Sequence, residues 1–296
     1  MIKRTLKFVD MFCGIGGFHL AFHDLGLKCV AACDNDLKAR KTYEENFTAM
    51  SPHLFKRGLF LDDVEKIEGT ELPDFDLLCA GFPCQPFSQA GYKRGFADKS
   101  RGTLFFDIAR IAKAKRPVAL FLENVRGIVK HDDGRTLATI RSIIEELDYT
   151  FDMKVVKASD YGLPQHRPRA FMVCFDKSKL NEGAPAFEFP KKHEHLRLNM
   201  SDVWKGECDR EVGYTLRCGG RRSGVDDKRN WDGYRVNGEV RYLGSKEGKR
   251  MMGFPDEFIF PVAEADAMRQ LGNSVAVDAI REVGKEMISY IRKNMK

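Results

Sequence analysis

Four short apolar runs constrain this chain most: LKFVDMF (residues 6–12), CVAAC (29–33), FDLLCAG (75–81) and VALFLEN (118–124). Each is too short for a buried helix and is bounded by glycine, proline or acidic residues, the pattern of strands covered on both faces. Between the third and fourth lies GTLFFDIARIAKAKRP, in which Leu104, Ile108, Ile111 and Ala112 share one helical face and Pro117 supplies the stop. Strands alternating with helices predict βαβ units and an α/β fold built on a doubly wound, mainly parallel sheet. FDMKVVKASDYGLPQHRPRAFMVCF (151–175) has two β-rich runs around a turn-like centre, which predicts an antiparallel hairpin closing the sheet edge. Past residue 176 the chain turns polar, glycine-dotted and weakly periodic, as expected of a second, smaller, irregular β-rich domain. From Ser274 helical spacing returns (Val277, Ile280, Val283, Met287, Ile288, Ile291), so the tail should pack back on the first domain.

The 296 residues suffice for one large domain with a smaller one, and no apolar run approaches the roughly 20 residues of a membrane helix. MIKRTLKFVD starts basic and then apolar, but Asp10 and the following glycines break any signal-peptide core. The eight cysteines are scattered without a CxxC pair, which argues against a zinc ribbon or disulfide framework and fits a reducing cytosol. A net charge of +6 permits a polyanionic partner without establishing one. His19 and His23 are four apart but lack an accompanying acid pattern, and HEH (193–195) lies in a polar stretch, so no metal is expected.

FCGIGG follows the first predicted strand and opens a helix, and Gly14, Gly16 and Gly17 would let the backbone turn tightly and approach a ligand. Asp34 ends the next strand about 20 residues on, where an acid can accept hydrogen bonds from a ribose. The loop is neither GxGxxG nor a phosphate loop, so a nucleoside cofactor without pyrophosphate fits better than NAD. Cys84 follows the third strand and Glu123 ends the fourth; in an open parallel sheet both would face the cleft at the strands' carboxyl ends. A thiolate adding to a pyrimidine at C6 makes C5 nucleophilic, and a carboxyl of raised pKa can hydrogen-bond N3. Arg167 and Arg169 in QHRPR offer the cation a thiolate needs.

DMFCGIGG, GFPCQPFS, ENV, QHRPR and QLGNSV, in that order and from Phe8 to Val275, resemble the ordered motifs of the DNA (cytosine-5)-methyltransferases. The resemblance implies a class I, Rossmann-like methyltransferase fold, S-adenosylmethionine as methyl donor, and duplex DNA from which the target base is flipped out. It assigns Cys84 as nucleophile, Glu123 as the N3 partner, Arg169 as a contact to the flipped base and Arg167 in support. Phe12, Gly14 and Gly17 would line the methionine end of the cofactor, Asp34 would hold the ribose, Asn35 would lie beside the adenine and Asp63 would receive its amino group. Pro83, Leu104 and Asn273 would shape the cofactor and catalytic pockets. Residues 1–176 with 265–296 would form the catalytic and cofactor-binding domain, 177–244 the target-recognition domain and 245–264 the hinge. Two departures stand out: Asn35 replaces a larger apolar residue, and Gly244-Ser245 stands where the family often has Thr-Pro.

SQAGYKRGFADKSRG (88–102), with Lys93, Arg94, Lys99 and Arg101, reads as a loop closing over a phosphate backbone. YTLRCGGRRSG (214–224) reads as the base reader: Gly219 and Gly220 let the backbone enter a groove, and Arg217, Arg221 and Arg222 offer forks to guanine. Trp231 and Tyr234 are open to two readings, against DNA or in a small core. Rival functions are an RNA cytosine-5 methyltransferase, disfavoured by the lack of a Cys-Phe-Thr signature, and a non-catalytic DNA-binding regulator, disfavoured by the intact Cys84, Glu123 and Arg169. A monomeric, cytoplasmic prokaryotic or phage enzyme with a cognate restriction endonuclease is expected by resemblance.

Overall fold

The computed structural model describes residues 4–83, 104–219 and 223–296. In chain order the strands are β1 (Lys7–Met11), β2 (Lys28–Cys33), β3 (Phe60–Leu61), β4 (Leu77–Gly81), β5 (Ala119–Val125), β6 (Asp152–Val156), β7 (Arg169–Phe175), β8 (Gly233–Val236) and β9 (Glu239–Tyr242). The helices, numbered over the described residues, are α1 (Gly17–Asp24), α2 (Leu37–Phe47), α3 (Pro52–Lys56), α4 (Leu104–Lys115), α5 (Arg135–Glu146), α6 (Met200–Trp204), α7 (Ser245–Met252), α8 (Glu264–Asn273) and α9 (Val277–Asn294).

Seven strands form one sheet in the order β3-β2-β1-β4-β5-β7-β6. The first five run parallel, and β7 pairs antiparallel with both β5 and β6. The four apolar runs are β1, β2, β4 and β5, and the hairpin is β6–β7 with β6 at the edge. The predominant hydrophobicity of these strands has a packing cause. Leu77, Cys79 and Phe121 face one core, and Leu78, Ala80, Leu120 and Leu122 face the other. Alternate residues thus enter two cores, so both faces are mostly apolar, with Asp10 of β1 and Glu123 and Asn124 at the end of β5 as buried polar exceptions. Phe22 of α1 and Ile280, Val283 and Met287 of α9 belong to the first core; Ile108 of α4 and Ile140 of α5 belong to the second. All six apolar positions that mark the tail as helical are buried.

Residues 177–244 are less regular than a β-rich domain would be: within the described residues they hold one short α-helix, a 3-10 turn at Lys177–Lys179 and the two-stranded hairpin β8–β9. Trp231 and Tyr234 are buried there with Met200 and Trp204, continuous with the core under α1 and α9. That decides their role as core aromatics, with Tyr234 Oη accepting from the Tyr214 amide (2.9 Å). The stretch 245–264, expected as a hinge, begins as α7, which buries Met251 and Met252 and ends at Gly253 in the left-handed region (φ 80°).

Candidate active site

The carboxyl ends of β1, β2, β4 and β5 converge on a cavity of about 430 Å³, a volume typical of cofactor sites. Of the residues singled out from sequence, Phe12, Gly14, Gly17, Asp34, Asn35, Asp63, Pro83, Leu104, Glu123, Arg169 and Asn273 all line it. Cys84, Lys93, Arg94, Arg101, Gly220, Arg221 and Arg222 lie outside the described residues. A larger cleft of about 1050 Å³, between α1, α2 and residues 253–259, holds none of the predicted site residues, so volume alone does not mark the site.

Strand register brings the acid and the arginine together. Glu123 pairs with Gly81 on one side and with Phe171 on the other, and Val125 pairs with Arg169. Because β7 runs antiparallel, its first residue sits beside the last residues of the parallel strands. Arg169 is then the diagonal neighbour of Glu123 on the same face, and its Nε lies 3.0 Å from Glu123 Oε1. Glu123 is 7% exposed. Burial raises its pKa, and the opposing pull of Arg169 and then Arg167 does not cancel this. Asn124 fixes the neighbouring strand end: its Nδ2 donates to Phe82 O (2.9 Å), which holds the backbone leading into Pro83.

The glycine loop divides its labour. Phe12 is held at φ 58°, strained for a residue with a side chain. Gly14 donates its N–H to Asp34 Oδ2 (2.7 Å), and among the described residues a Cβ there would meet nothing within 4 Å, so open space faces it. Gly16 is different. It does not line the cavity, and a Cβ would fall 2.2 Å from Phe47, so its contribution is seating α2 against the loop. Gly17 serves close packing as well, with a Cβ 2.6 Å from Val275 Cγ2. Asp34 also accepts from the Asp36 amide (2.9 Å), and burial outweighs both hydrogen bonds to raise its pKa. Asp63 caps the following turn by accepting from the Glu65 amide (3.0 Å).

Arg167 is placed elsewhere than a base contact requires. It is absent from the cavity wall, 1% exposed, and its guanidinium donates to the carbonyls of Leu216, Gly272 and Ser274. Burial and then Arg169 lower its pKa to about 9. Gln270, unmarked by the sequence reading although it opens the QLGNSV motif, lines the cavity at 7% exposure. Its Oε1 accepts from Thr42 (2.9 Å), while its buried Nε2 has no partner among the described residues. Its place in the quoted motif was the available signal. Arg217 and Gly219 are exposed, and the Arg217 backbone packs against Gly272 of the cavity wall. His19 is a core histidine: its ring contacts Tyr43 Oη and Ser51 Oγ, and burial lowers its pKa to about 3. Among the described residues no group of three or more His, Cys, Asp or Glu side chains could hold a metal.

Comparison with known proteins decides the family. The model for C-5 cytosine-specific DNA methylases matches residues 6–217 and 209–289. This chain is a C-5 cytosine-specific DNA methylase. As such it is a transferase that methylates cytosine in DNA at C5. It is 39% identical to the Type II methyltransferase M.DsaV of Dactylococcopsis salina, over 98% of this chain and 88% of the relative. It is 36% identical to the Type II methyltransferase M.HhaI of Haemophilus parahaemolyticus, over 94% of this chain and 93% of the relative. A crystal structure of a putative DNA modification methyltransferase encoded within an Escherichia coli prophage superposes with a TM-score of 0.72 at 22% identity, covering 98% of this chain and all of that one. A mutant DNMT2 from Spodoptera frugiperda superposes with a TM-score of 0.72 at 18% identity, over 96% of this methylase and all of that chain. Both structures share the fold.

Proposed function

We propose that this methylase uses S-adenosylmethionine to methylate a flipped-out cytosine through a covalent bond between Cys84 and C6. The carrying observation is the Glu123–Arg169 pair at the cavity wall beside Phe82 and Pro83, the residues that lead into Cys84. The cavity suits the donor: among the described residues Gly14 leaves open space, Asp34 retains acceptor capacity for a ribose, and Gln270 lines the wall with its Nε2 unpartnered. Phe12, Gly14 and Gly17 would hold the methionine end, Asp34, Asn35 and Asp63 the nucleoside, with Pro83, Leu104 and Asn273 closing the walls. When bound, S-adenosylmethionine supplies an electrophilic methyl group.

The residues of the chain do the rest. The Cys84 thiolate adds to C6 while Glu123, whose pKa burial raises, gives a proton to N3; the electron pair then resides at C5, which takes the methyl group. Arg169, held by Glu123 and by the Pro168 carbonyl (3.0 Å), orients both the base and Glu123. Loss of the C5 proton to a base or water lets the C6–S bond break, releasing the thiolate, and the N3 proton returns to Glu123. Residues 1–176 with 265–296 act as the catalytic domain, 177–244 as the target reader and 245–264 as the hinge. Exposed Arg217 and Gly219 support the reader's placement, as does α7 in the hinge. Lys93, Arg94, Arg101, Gly220, Arg221 and Arg222 complete the DNA contacts on sequence grounds. In this reading the setting is a monomer in the prokaryotic cytosol that protects sites of a cognate endonuclease; the Type II relatives support its restriction–modification part.

Label transfer from tritiated methyl donor to duplex DNA and to transfer RNA, wild type against Cys84→Ala, tests the reading. Label in DNA from the wild type alone supports it. Label in RNA alone, or undiminished label from Cys84→Ala, overturns it. Bisulfite mapping of DNA from an expressing host then gives the sequence methylated.

A further inference from the structure

Arg210 differs from other arginines of its region. Arg229 pairs with Asp227 and Arg235 with Asp226, each at 2.8 Å, whereas Arg210 pairs with no acid among the described residues. Its guanidinium lies 4.2 Å over the Tyr214 ring, and its Nη1 donates to Tyr214 Oη (2.8 Å). Tyr214 is anchored in turn, since its amide donates to the hydroxyl of buried Tyr234 (2.9 Å). Among the described residues neither Nη2 nor the buried Nε of Arg210 has a partner. The acids flanking it in sequence do not neutralise it: Asp209 Oδ1 accepts from the Cys208 thiol (3.8 Å), and no ion pair joins Glu211 to it. Arg210 is thus a cation held on a fixed platform without a counter-charge.

Two further basic side chains stand beside it. The His166 amide donates to Gly213 O (3.2 Å) and the Gly213 amide to Pro164 O (3.0 Å), which ties the hairpin turn to the residue before Tyr214. His166 is exposed, and its ring bonds to nothing among the described residues. Lys157, exposed just past β6, also lacks an acid there, because Asp160 is taken by Lys192 (3.0 Å). Lys157 and Arg210 are the charges that His166 feels, and both are positive. Partial burial, then Lys157 and Arg210, lower its pKa. Three basic groups without an acid suit an anion with several acceptor oxygens, and a guanidinium edge matches phosphate geometry. The same segment runs on to the exposed Arg217, so a phosphate here belongs to a duplex lying on that face.

We propose that Arg210, His166 and Lys157 cradle one backbone phosphate of the bound duplex, and that His166 takes up a proton as the phosphate seats. The inference rests on the reading above that residues 214–219 face DNA. A phosphate contact of this kind positions the duplex without reading its sequence. The sign of the pH effect follows from the charges. In the free protein two cations disfavour the imidazolium; in the complex an anion beside the ring favours it. Affinity therefore rises as pH falls from about 8 toward about 6, across the usual histidine range.

The test uses the full chain and a tetramethylrhodamine-labelled duplex carrying the bisulfite-mapped site, with Kd read by anisotropy across pH and salt. Between about pH 8 and about pH 6 the wild type tightens by about 3-fold more than His166→Gln, as a shift of about one pKa unit requires. Arg210→Gln lowers the salt slope by about 1 and weakens the mapped and a scrambled duplex by the same factor. Should Arg210→Gln fail to fold, Lys157→Gln on the surface carries the salt test. Equal pH dependence in wild type and His166→Gln, or an unchanged salt slope, overturns the cradle. Proton-linked binding of transfer RNA but not of duplex DNA overturns it as well. Arg217→Ala separates the two failures. A slope that falls in Arg217→Ala alone leaves the DNA face standing and removes the cradle; a slope that falls in neither variant removes the face too.

Discussion

The strand rim and the stretch 177–244 place their functional side chains by opposite means. At the rim, Glu123 and Arg169 meet because two strands pair in fixed register, and a one-residue slip would send each to the other face. In residues 177–244, Arg217 sits beside the cavity because buried Arg167 and Gln165 hold its neighbour Leu216. The first arrangement repeats a backbone rule. The second depends on individual side chains far away in sequence. Rim substitutions should therefore damage chemistry with little effect on binding, and substitutions in the reader should do the reverse.

Cys84→Ala gives the largest effect, turnover at background with S-adenosylhomocysteine affinity kept within about twofold, since the thiol is asked only for bond formation. Stopped turnover together with lost cofactor affinity would break the contrast. Glu123→Gln comes next, with kcat lowered by about 10²–10⁴-fold, the range for a general acid. Its pH profile sharpens the point. Burial raises the Glu123 pKa, so the active protonated form is present at low pH and declines as pH rises through that elevated value. The glutamine variant should lose that descending limb, and a retained limb would assign it to another group.

The glycine loop tests whether the rim is uniform. Gly16→Ala and Gly17→Ala thrust a methyl against Phe47 and Val275, and each should lower stability by about 1–3 kcal/mol in denaturant titrations. Gly14→Ala meets open space and should cost only about 1 kcal/mol, from its positive φ, while weakening cofactor binding more than either. His19, in the core behind the loop, has its pKa lowered to about 3. Its contribution is present above the unfolded value near 6.5 and is lost as pH falls from there toward 3, at a slope of roughly 1.4 kcal/mol per pH unit. The stability gap between wild type and His19→Gln should therefore narrow between pH 7 and pH 5. Arg217→Ala should give the smallest change: stability within about 0.5 kcal/mol, DNA binding weaker, and the salt slope reduced by about 1. An unchanged salt slope would remove Arg217 from the DNA face.

What could be read before any coordinates were known follows the same divide. The continuous apolar runs gave the parallel strands, because a strand covered on both faces has few polar positions to spare. The alternation of strand and helix placed Asp34, Pro83 and Glu123 at one end of the sheet, since βαβ units send every parallel strand the same way. The sequence alone could not separate Gly16 from Gly14, which differ only in what stands opposite: Phe47 for one, open space for the other. Nor could it tell Arg167 from Arg169. Within two residues the backbone turns one guanidinium into a buried cage of carbonyls and the other toward Glu123. Strand order and strand ends follow from local periodicity and short-range connection. The partner of a side chain is fixed by whichever distant segment packs against it, and only the tertiary structure supplies that segment.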